Sequence, residues 1–219
     1  MTAAPLIAGR RELKVGSLGL DAILDVPPDA RGIVIFAHGS GSGRFSPRNN
    51  HVAGKMRDAG FATLLLDLLT AGEERDRRNV FDIALLAGRL RMARDWCAEY
   101  PATTALRPAY FGASTGAGAA LRAAANDPRI AAIVSRGGRP DLAGATALAQ
   151  VVAPTLLIVG GRDEPVIDLN RVALAAMRCQ RELAIVPGAG HLFEEAGTLD
   201  GVVALAVGWL GRFIPGAAK

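Results

Sequence analysis

Short apolar runs alternate with helix-like segments along the sequence, and no other feature narrows the possible folds as far. Runs such as GIVIFAHG (32–39) are apolar and β-branched, which is typical of strands buried on both faces. Repeated β–α units in one chain predict an α/β fold with a mostly parallel sheet and helices on both faces. The predicted strands are 10–15, 18–26, 32–39, 61–69, 107–113, 130–137, 153–161 and 181–188.

The segments between most of these strands carry helix start and stop signals. The first has Ser46 as N-cap, Pro47 in the first helical position and Gly60 beyond its end. Between the first two strands, Gly16 and Ser17 instead predict a hairpin at a sheet edge. The later predicted helices are 80–100, 115–127, 165–177 and 198–214.

The size of the chain indicates one globular unit, and its charge distribution indicates which partners to expect. A chain of 219 residues with 50% hydrophobic content can bury one core, which favours a single domain spanning 1–219. The net charge of +4 comes mainly from scattered arginines, and acids interleave in the one dense segment, 74–79. Segment 70–79 is therefore predicted to be a charged surface loop, and no nucleic-acid partner is expected. The sequence leaves the oligomeric state open.

Signals for export or membrane insertion are not evident. Residues 1–13 have no charged segment ahead of an apolar stretch, and the longest apolar runs are broken by Gly, Arg or Pro. The sequence therefore predicts neither a secretory signal nor a membrane span, and a cytoplasmic protein is expected.

Two cysteines, Cys97 and Cys179, lie far apart and in no paired spacing of metal ligands. Both fall in segments that predict helices. Two reduced, half-buried thiols are expected rather than a disulfide or a nucleophile.

The glycine-rich turn GASTGAG (112–118) allows two interpretations. Its glycine spacing matches a dinucleotide-binding turn, but it lies in mid-chain, and neither Tyr100 nor Tyr110 has a lysine four residues later. The glycines of segment 39–43 fit neither a dinucleotide nor a Walker phosphate loop. The turn is better explained as G-x-S-x-G between a strand and a helix.

In that second interpretation, Ser114 is a nucleophile on a tight strand-to-helix turn. Small residues two positions before and after it prevent a collision between strand and helix. The hydroxyl would project above the sheet, and the backbone N–H of Thr115 would point toward a developing oxyanion.

A serine nucleophile needs a base, and an imidazole base needs a carboxylate to orient it. His191 follows the last predicted strand, and Asp163 follows the preceding one. The order Ser114, Asp163, His191 is that of a nucleophile, acid and histidine at three strand ends. Glu164 and Asp168 are alternative acids.

The loop after the third strand, AHGSGSG (37–43), is expected to supply a second oxyanion donor. The Ser40 N–H is the first candidate and the Gly41 N–H the second. His38 is expected to order this loop by hydrogen bonding, and His51 lies in the following helix.

Together these motifs resemble the α/β-hydrolase superfamily, especially its small dienelactone-hydrolase-like serine hydrolases. The similarity runs from about residue 32 to the last helix and is carried by HGSGSGRFSPRN, GASTG, SRGGRPDL, GGRDEPV and GAGHLFEE. It implies an eight-stranded sheet, Ser114, Asp163 and His191 as a triad, and hydrolysis of an ester or lactone through an acyl-enzyme. Dienelactone hydrolases carry a cysteine at the strand-to-helix turn where this chain has Ser114, so dienelactone itself is not implied as the substrate.

This chemistry needs no metal or organic cofactor, and its expected partner is a small-molecule ester or lactone. Larger relatives insert a lid where this chain has only GRPDLAGATALAQ (138–150). The minimal lid favours small, soluble acyl substrates. Acyl transfer or perhydrolysis by the same triad, or a non-catalytic binding module, are the alternatives.

Arginines recur at the predicted strand ends. Arg136 or Arg139 is a candidate to bind a substrate carboxylate, and Gly41 is a further candidate for substrate binding. The favoured alternative is that the arginines fix loops by hydrogen bonds and by pairing with acids such as Asp141.

Overall fold

A computed structural model describes residues 9–216, and its eight strands form one sheet in the order β1-β2-β4-β3-β5-β6-β7-β8. Both pairs that β2 makes, with β1 and with β4, are antiparallel, and the other pairs are parallel. The predicted mostly parallel sheet is thus confirmed. Residues 1–8, part of the segment predicted to lack a secretory signal, lie outside the described residues. The strands are β1 (Gly9–Val15), β2 (Leu20–Val26), β3 (Ile33–Ala37), β4 (Ala62–Leu66), β5 (Pro108–Ala113), β6 (Ile133–Arg136), β7 (Thr155–Gly160) and β8 (Arg181–Val186).

The predicted N-terminal hairpin is present at one edge of the sheet. Gly19 N–H donates to Gly16 O at 3.1 Å, which closes the turn between β1 and β2. The hairpin therefore pairs with β4 only through β2.

Helices cover both faces of the sheet, as predicted. On one face, α1 and α7 pack with Phe36, Phe111 and Trp209. The other face carries α3 and α4 and buries Tyr110, whose hydroxyl donates to Leu90 O at 3.2 Å. Among the described helices, none combines the length and apolar character that crossing a bilayer demands. The helices are α1 (Pro47–Asp58), α2 (Arg77–Val80), α3 (Ile83–Glu99), α4 (Thr115–Ala123), α5 (Ala145–Gln150), α6 (Glu164–Ala176) and α7 (Thr198–Phe213).

Capping residues set two of the helix starts. Ser46 Oγ accepts from Asn49 N–H at 3.4 Å, so α1 begins at Pro47 as predicted. The helix predicted from residue 80 begins at Ile83 instead, because Asp82 is its N-cap and accepts from Leu85 N–H at 2.9 Å.

Segment 70–79, predicted to be a charged surface loop, lies at the surface but is partly helical. Thr70 and Glu73 form a capping box, in which Thr70 N–H donates to Glu73 Oε2 and Glu73 N–H donates to Thr70 Oγ1. A 3-10 helix follows at Glu73–Arg75, and α2 comes next. This segment after β4 therefore has regular structure over most of its length.

The two cysteines are free thiols, as expected. Cys97 lies in α3, where burial raises its pKa to about 12, so it is a poor nucleophile. Cys179, however, is not helical, because α6 ends at Ala176 and the chain becomes extended at Met177.

The segment between β6 and β7 is short and forms a 3-10 helix, Pro140–Ala143, followed by α5. Both pieces pack against α4 and α6. They extend the helical layer beside the sheet, as the prediction of a minimal lid requires.

Candidate active site

The turn between β5 and α4 holds Ser114 in a strained backbone conformation. Its φ of 50° and ψ of −122° lie where non-glycine residues are rarely found. The surrounding backbone fixes this geometry, since Ser114 N–H donates to Arg136 O at 3.2 Å and Arg139 N–H donates to Ser114 O at 3.0 Å. The predicted tight strand-to-helix turn at Ser114, here called the elbow, is therefore present.

Two glycines allow the elbow to close. A Cβ atom on Gly116 would collide with the backbone oxygens of Ala37 and His38 at the end of β3. A Cβ atom on Gly112 would collide with the backbone of Ala117 in α4. Both collisions are with backbone, which explains why the strand-to-helix turn requires glycine at these positions.

His191 and Asp163 form a close pair at the ends of β8 and β7. His191 Nδ1 lies 2.6 Å from Asp163 Oδ2, and the Asp163 side chain is largely shielded from solvent. Asp163 occupies the N-cap position of α6 but does not cap it, because its carboxylate faces the imidazole. Glu164 begins α6 at the surface, and Asp168 pairs with Arg171 at 3.0 Å, so neither alternative acid contacts His191.

The imidazole lies beside the strand next to the elbow. A Cβ atom on Gly137, the residue after β6, would be 3.7 Å from His191 Cε1. Gly137 follows Arg136, which accepts the Ser114 amide hydrogen. Within residues 9–216 the structure has no hydrogen bond between Ser114 Oγ and His191, and the His191 side chain is 38% exposed.

The loop after β3 faces the elbow. A Cβ atom on Gly39 would be 3.8 Å from Ser114 Oγ. Ser40 N–H, the first candidate for the second oxyanion donor, donates to Thr115 Oγ1 at 2.9 Å. Gly41 is exposed with φ of 70°, and Thr115 N–H has no acceptor among the described residues.

The other two histidines have structural contacts. His38 Nε2 accepts from Leu68 N–H at 3.1 Å, and Nδ1 lies 3.0 Å from Gly39 O. His38 thus joins the loops after β3 and β4, which confirms its predicted ordering role. His51 pairs with Asp200 at 2.9 Å, between α1 and α7.

A cleft of about 280 Å³ opens beside the elbow, between the loop after β3 and the segment 69–80 after β4. Its lining combines apolar residues with hydroxyl-bearing residues and one acid, Glu74. The lining residues are His38, Gly39, Ser40, Gly41, Ser42, Leu69, Glu74, Val80, Leu86 and Thr115.

Of the two candidate carboxylate-binding arginines, Arg139 pairs with Asp141 at 2.9 and 2.7 Å. The loop-fixing alternative is thus correct for Arg139. Arg136 is 8% exposed, and its Nη2 donates to Asn49 Oδ1 at 3.2 Å. Its Nε and Nη1 have no partner among the described residues. Burial, and secondarily the charge of Arg48, lower the pKa of Arg136 to about 10.

Glu195 is a site residue that the sequence did not reveal. Both of its carboxylate oxygens accept from Gly190 N–H, at 3.0 and 3.1 Å, directly before His191. Arg162, directly before Asp163, lies 3.8 Å from the same carboxylate. Glu195 therefore links the loops that carry the imidazole and its acid.

We expect Glu195→Ala to lower kcat about tenfold, because the imidazole loop loses the acceptor of the Gly190 amide. Glu195→Gln keeps one oxygen and should retain more activity. Glu194→Gln is the matched control, since the exposed Glu194 carboxylate accepts from Arg48 at 2.8 Å and not from the Gly190 amide. A kcat of Glu195→Ala equal to that of the wild type would show that Glu195 does not position His191.

Glu195 also predicts a pH dependence of stability. Hydrogen bonding from Gly190 N–H lowers its pKa below the ordinary value of 4.5. Its stabilising contribution is therefore complete above that ordinary value and is lost as the pH falls through the lowered pKa. Urea denaturation should show a larger stability difference between wild type and Glu195→Gln at pH 7 than under strongly acidic conditions.

Comparison with known proteins assigns the chain to a family. The sequence model of the dienelactone hydrolase family matches residues 20–207. A crystal structure of a dienelactone hydrolase from Anabaena variabilis is 52% identical to this chain, with a TM-score of 0.89, and the match covers 94% of this chain and 99% of that one. The esterase domain of a Rhodothermus marinus protein matches at 17% identity with a TM-score of 0.73, over 94% of this chain and 99% of its own, which shows the fold alone.

Two Mycobacterium tuberculosis proteins, from strains CDC 1551 and H37Rv, are each 58% identical over 207 residues. Both are named, provisionally, as phosphoribosyl transferases. The match covers 94% of this chain but 46% of each of them, so the chain spans about half the length of these relatives. On the match to the family model and the identity with the Anabaena protein, the chain belongs to the dienelactone hydrolase family and has the α/β-hydrolase fold.

Proposed function

We propose that the protein is a serine hydrolase that cleaves small carboxylic esters or lactones, with Ser114 as nucleophile, His191 as base and Asp163 as orienting acid. The observation that carries this proposal is the 2.6 Å pair of His191 Nδ1 and Asp163 Oδ2. The imidazole of this pair lies next to Gly137, one residue beyond the carbonyl that accepts the amide hydrogen of the strained Ser114. A carboxylate on Nδ1 leaves Nε2 of the same ring free to accept a proton.

In the proposed reaction, His191 Nε2 takes the Ser114 hydroxyl proton as Oγ attacks the carbonyl carbon. The bond to the leaving alcohol then breaks, and His191 returns the proton to that alcohol. Water attacks the acyl-enzyme by the same route in the second half. Catalytic hydrogen bonds often form only when substrate is bound, so we expect the hydrogen bond between His191 Nε2 and Ser114 Oγ in the substrate complex.

The 280 Å³ volume of the cleft supports a substrate with a small acyl group. This volume is at the lower end of ligand pockets, which span about 300–1,000 Å³. Leu69, Val80 and Leu86 form its apolar part, and the short segment between β6 and β7 leaves the site without a large cover.

A series of nitrophenyl esters tests this proposal. We expect the highest kcat/KM for acyl groups of about two to six carbons, because longer chains exceed the cleft. Val80→Trp, which narrows the cleft, should shift the optimum toward acetate, whereas Val152→Trp at an exposed position distant in sequence should not. An optimum at long acyl groups would contradict the assignment of this cleft.

Arg136 is proposed to attract substrates that carry a carboxylate. Its Nε and Nη1 lack partners among residues 9–216, and a buried guanidinium binds carboxylates strongly. Arg136→Met should then raise KM about tenfold for acidic esters and leave KM for neutral esters unchanged. Arg139→Met is the control, because Asp141 already occupies that guanidinium. Equal effects on both ester classes would assign Arg136 a structural role.

Hydrolysis is favoured over acyl transfer or perhydrolysis because the His191 side chain is 38% exposed, which gives water access to the acyl-enzyme. Product analysis with a competing alcohol or peroxide tests this choice. A dominant transfer product would reverse it.

We assign the phosphoribosyl transferase name of the mycobacterial relatives to the part of those proteins that this chain does not match. The 46% coverage supports this division. Incubation of the protein with a phosphoribosyl diphosphate and nucleobases should release no diphosphate.

A further inference from the structure

One hydrogen bond joins the loop after β3 to the elbow, and its donor is an amide predicted for catalysis. Ser40 N–H donates to Thr115 Oγ1 at 2.9 Å. Thr115 follows Ser114 directly and is 6% exposed. The Ser40 amide therefore cannot donate to a substrate carbonyl oxygen unless this hydrogen bond breaks.

The Thr115 hydroxyl retains a proton of its own. A hydroxyl that accepts one hydrogen bond can still donate one. Among residues 9–216, the structure has no acceptor for this proton. Both Thr115 and Ser40 line the 280 Å³ cleft beside the elbow, so the cleft is where an acceptor can be supplied.

The surroundings favour donation toward negative charge. Thr115 is the first residue of α4, and a helix N-terminus carries partial positive charge. An amide that donates to a hydroxyl polarises it and makes the hydroxyl a stronger donor. The buried position of Thr115 also lowers the local dielectric, which strengthens a hydrogen bond to an oxyanion.

We propose that the Thr115 hydroxyl is a catalytic donor to the oxyanion and that Ser40 acts through it as a positioning residue; this rests on the proposed serine hydrolase function. When Ser114 Oγ bonds to the carbonyl carbon, the C=O π electron pair moves to the oxygen, and the serine proton moves to His191 Nε2. The resulting oxyanion accepts hydrogen bonds from both Thr115 N–H and Thr115 Oγ1–H.

The test compares Thr115→Val, which removes the hydroxyl at nearly constant volume, with Thr115→Ser, which keeps it. We expect Thr115→Val to lower kcat about 10²-fold with little change in KM, as for the loss of one oxyanion donor. Its affinity for a trifluoromethyl ketone, which forms a hemiketal oxyanion on the serine, should fall in parallel. Thr115→Ser should recover most of kcat. Thr104→Val is the control, because that exposed hydroxyl donates to Ala98 O.

Each other outcome overturns the inference. An unchanged or higher kcat in Thr115→Val would mean that the freed Ser40 amide is the true donor. An equal loss of kcat in Thr115→Val and Thr115→Ser, or a loss explained by a lower Tm, would show that Thr115 only stabilises the loop after β3. A wild-type protein that neither turns over esters nor reacts with a fluorophosphonate at Ser114 would refute the proposed function itself, which separates that failure from this one.

Discussion

Ser114→Ala is expected to lower ester hydrolysis by about 10⁴-fold or more, because the proposed mechanism depends on the Ser114 hydroxyl as nucleophile. Labelling by a fluorophosphonate probe should disappear in the same variant. The Tm should stay close to that of the wild type, since the elbow is held by backbone hydrogen bonds to Arg136 and Arg139 that alanine preserves.

Ser17→Ala, in the exposed turn between β1 and β2, is the matched control and should retain full labelling. Mass spectrometry of the labelled wild type should place the adduct on the peptide that contains Ser114. An adduct on another serine, or substantial turnover by Ser114→Ala, would refute the assignment of the nucleophile.

Gly116→Ala should have the second large effect, a loss of at least about 3 kcal/mol in the free energy of unfolding. The added methyl group would meet the backbone oxygens of Ala37 and His38, which cannot move without displacing the end of β3. The Tm should fall by about 6–12 °C, measured by thermal denaturation.

Gly208→Ala provides the opposite case within the same chain. Gly208 lies in α7, and a Cβ atom there would meet no atom within 4 Å. Alanine should therefore stabilise this helix by about 0.5–1 kcal/mol, because it restricts the unfolded backbone. If Gly116→Ala and Gly208→Ala changed the Tm alike, the close approach at the elbow would not be a constraint.

The sheet and the His191–Asp163 pair could be predicted from the sequence because each key residue lies within five residues of the end of an apolar strand. Parallel strands deliver such residues to one edge of the sheet, so Ser114, Asp163 and His191 could be selected without any tertiary information. Five of the eight strands nevertheless end one to three residues earlier than predicted. For example, β3 stops at Ala37, because His38 turns to accept the Leu68 amide hydrogen.

Contacts to backbone groups could not be predicted in the same way. Glu195 accepts from the Gly190 amide, and the Ser40 amide donates to a hydroxyl 75 residues away, and neither contact leaves a spacing of side-chain types. The capping box of Thr70 and Glu73 did leave a recognisable T-x-x-E pattern in the sequence. Its significance was hidden by the surrounding charged residues.

Because β8 is an edge strand, we expect His191 to be held less firmly than Ser114. Ser114 follows β5, which has a strand on each side, whereas His191 follows β8, which is hydrogen-bonded to β7 alone at the border of the sheet. Border elements open at lower free energy than the centre of a fold. We therefore expect mild heat or denaturant to abolish turnover by local unfolding of β8, which displaces His191. The amides of the central strands should still be protected from hydrogen exchange under these conditions.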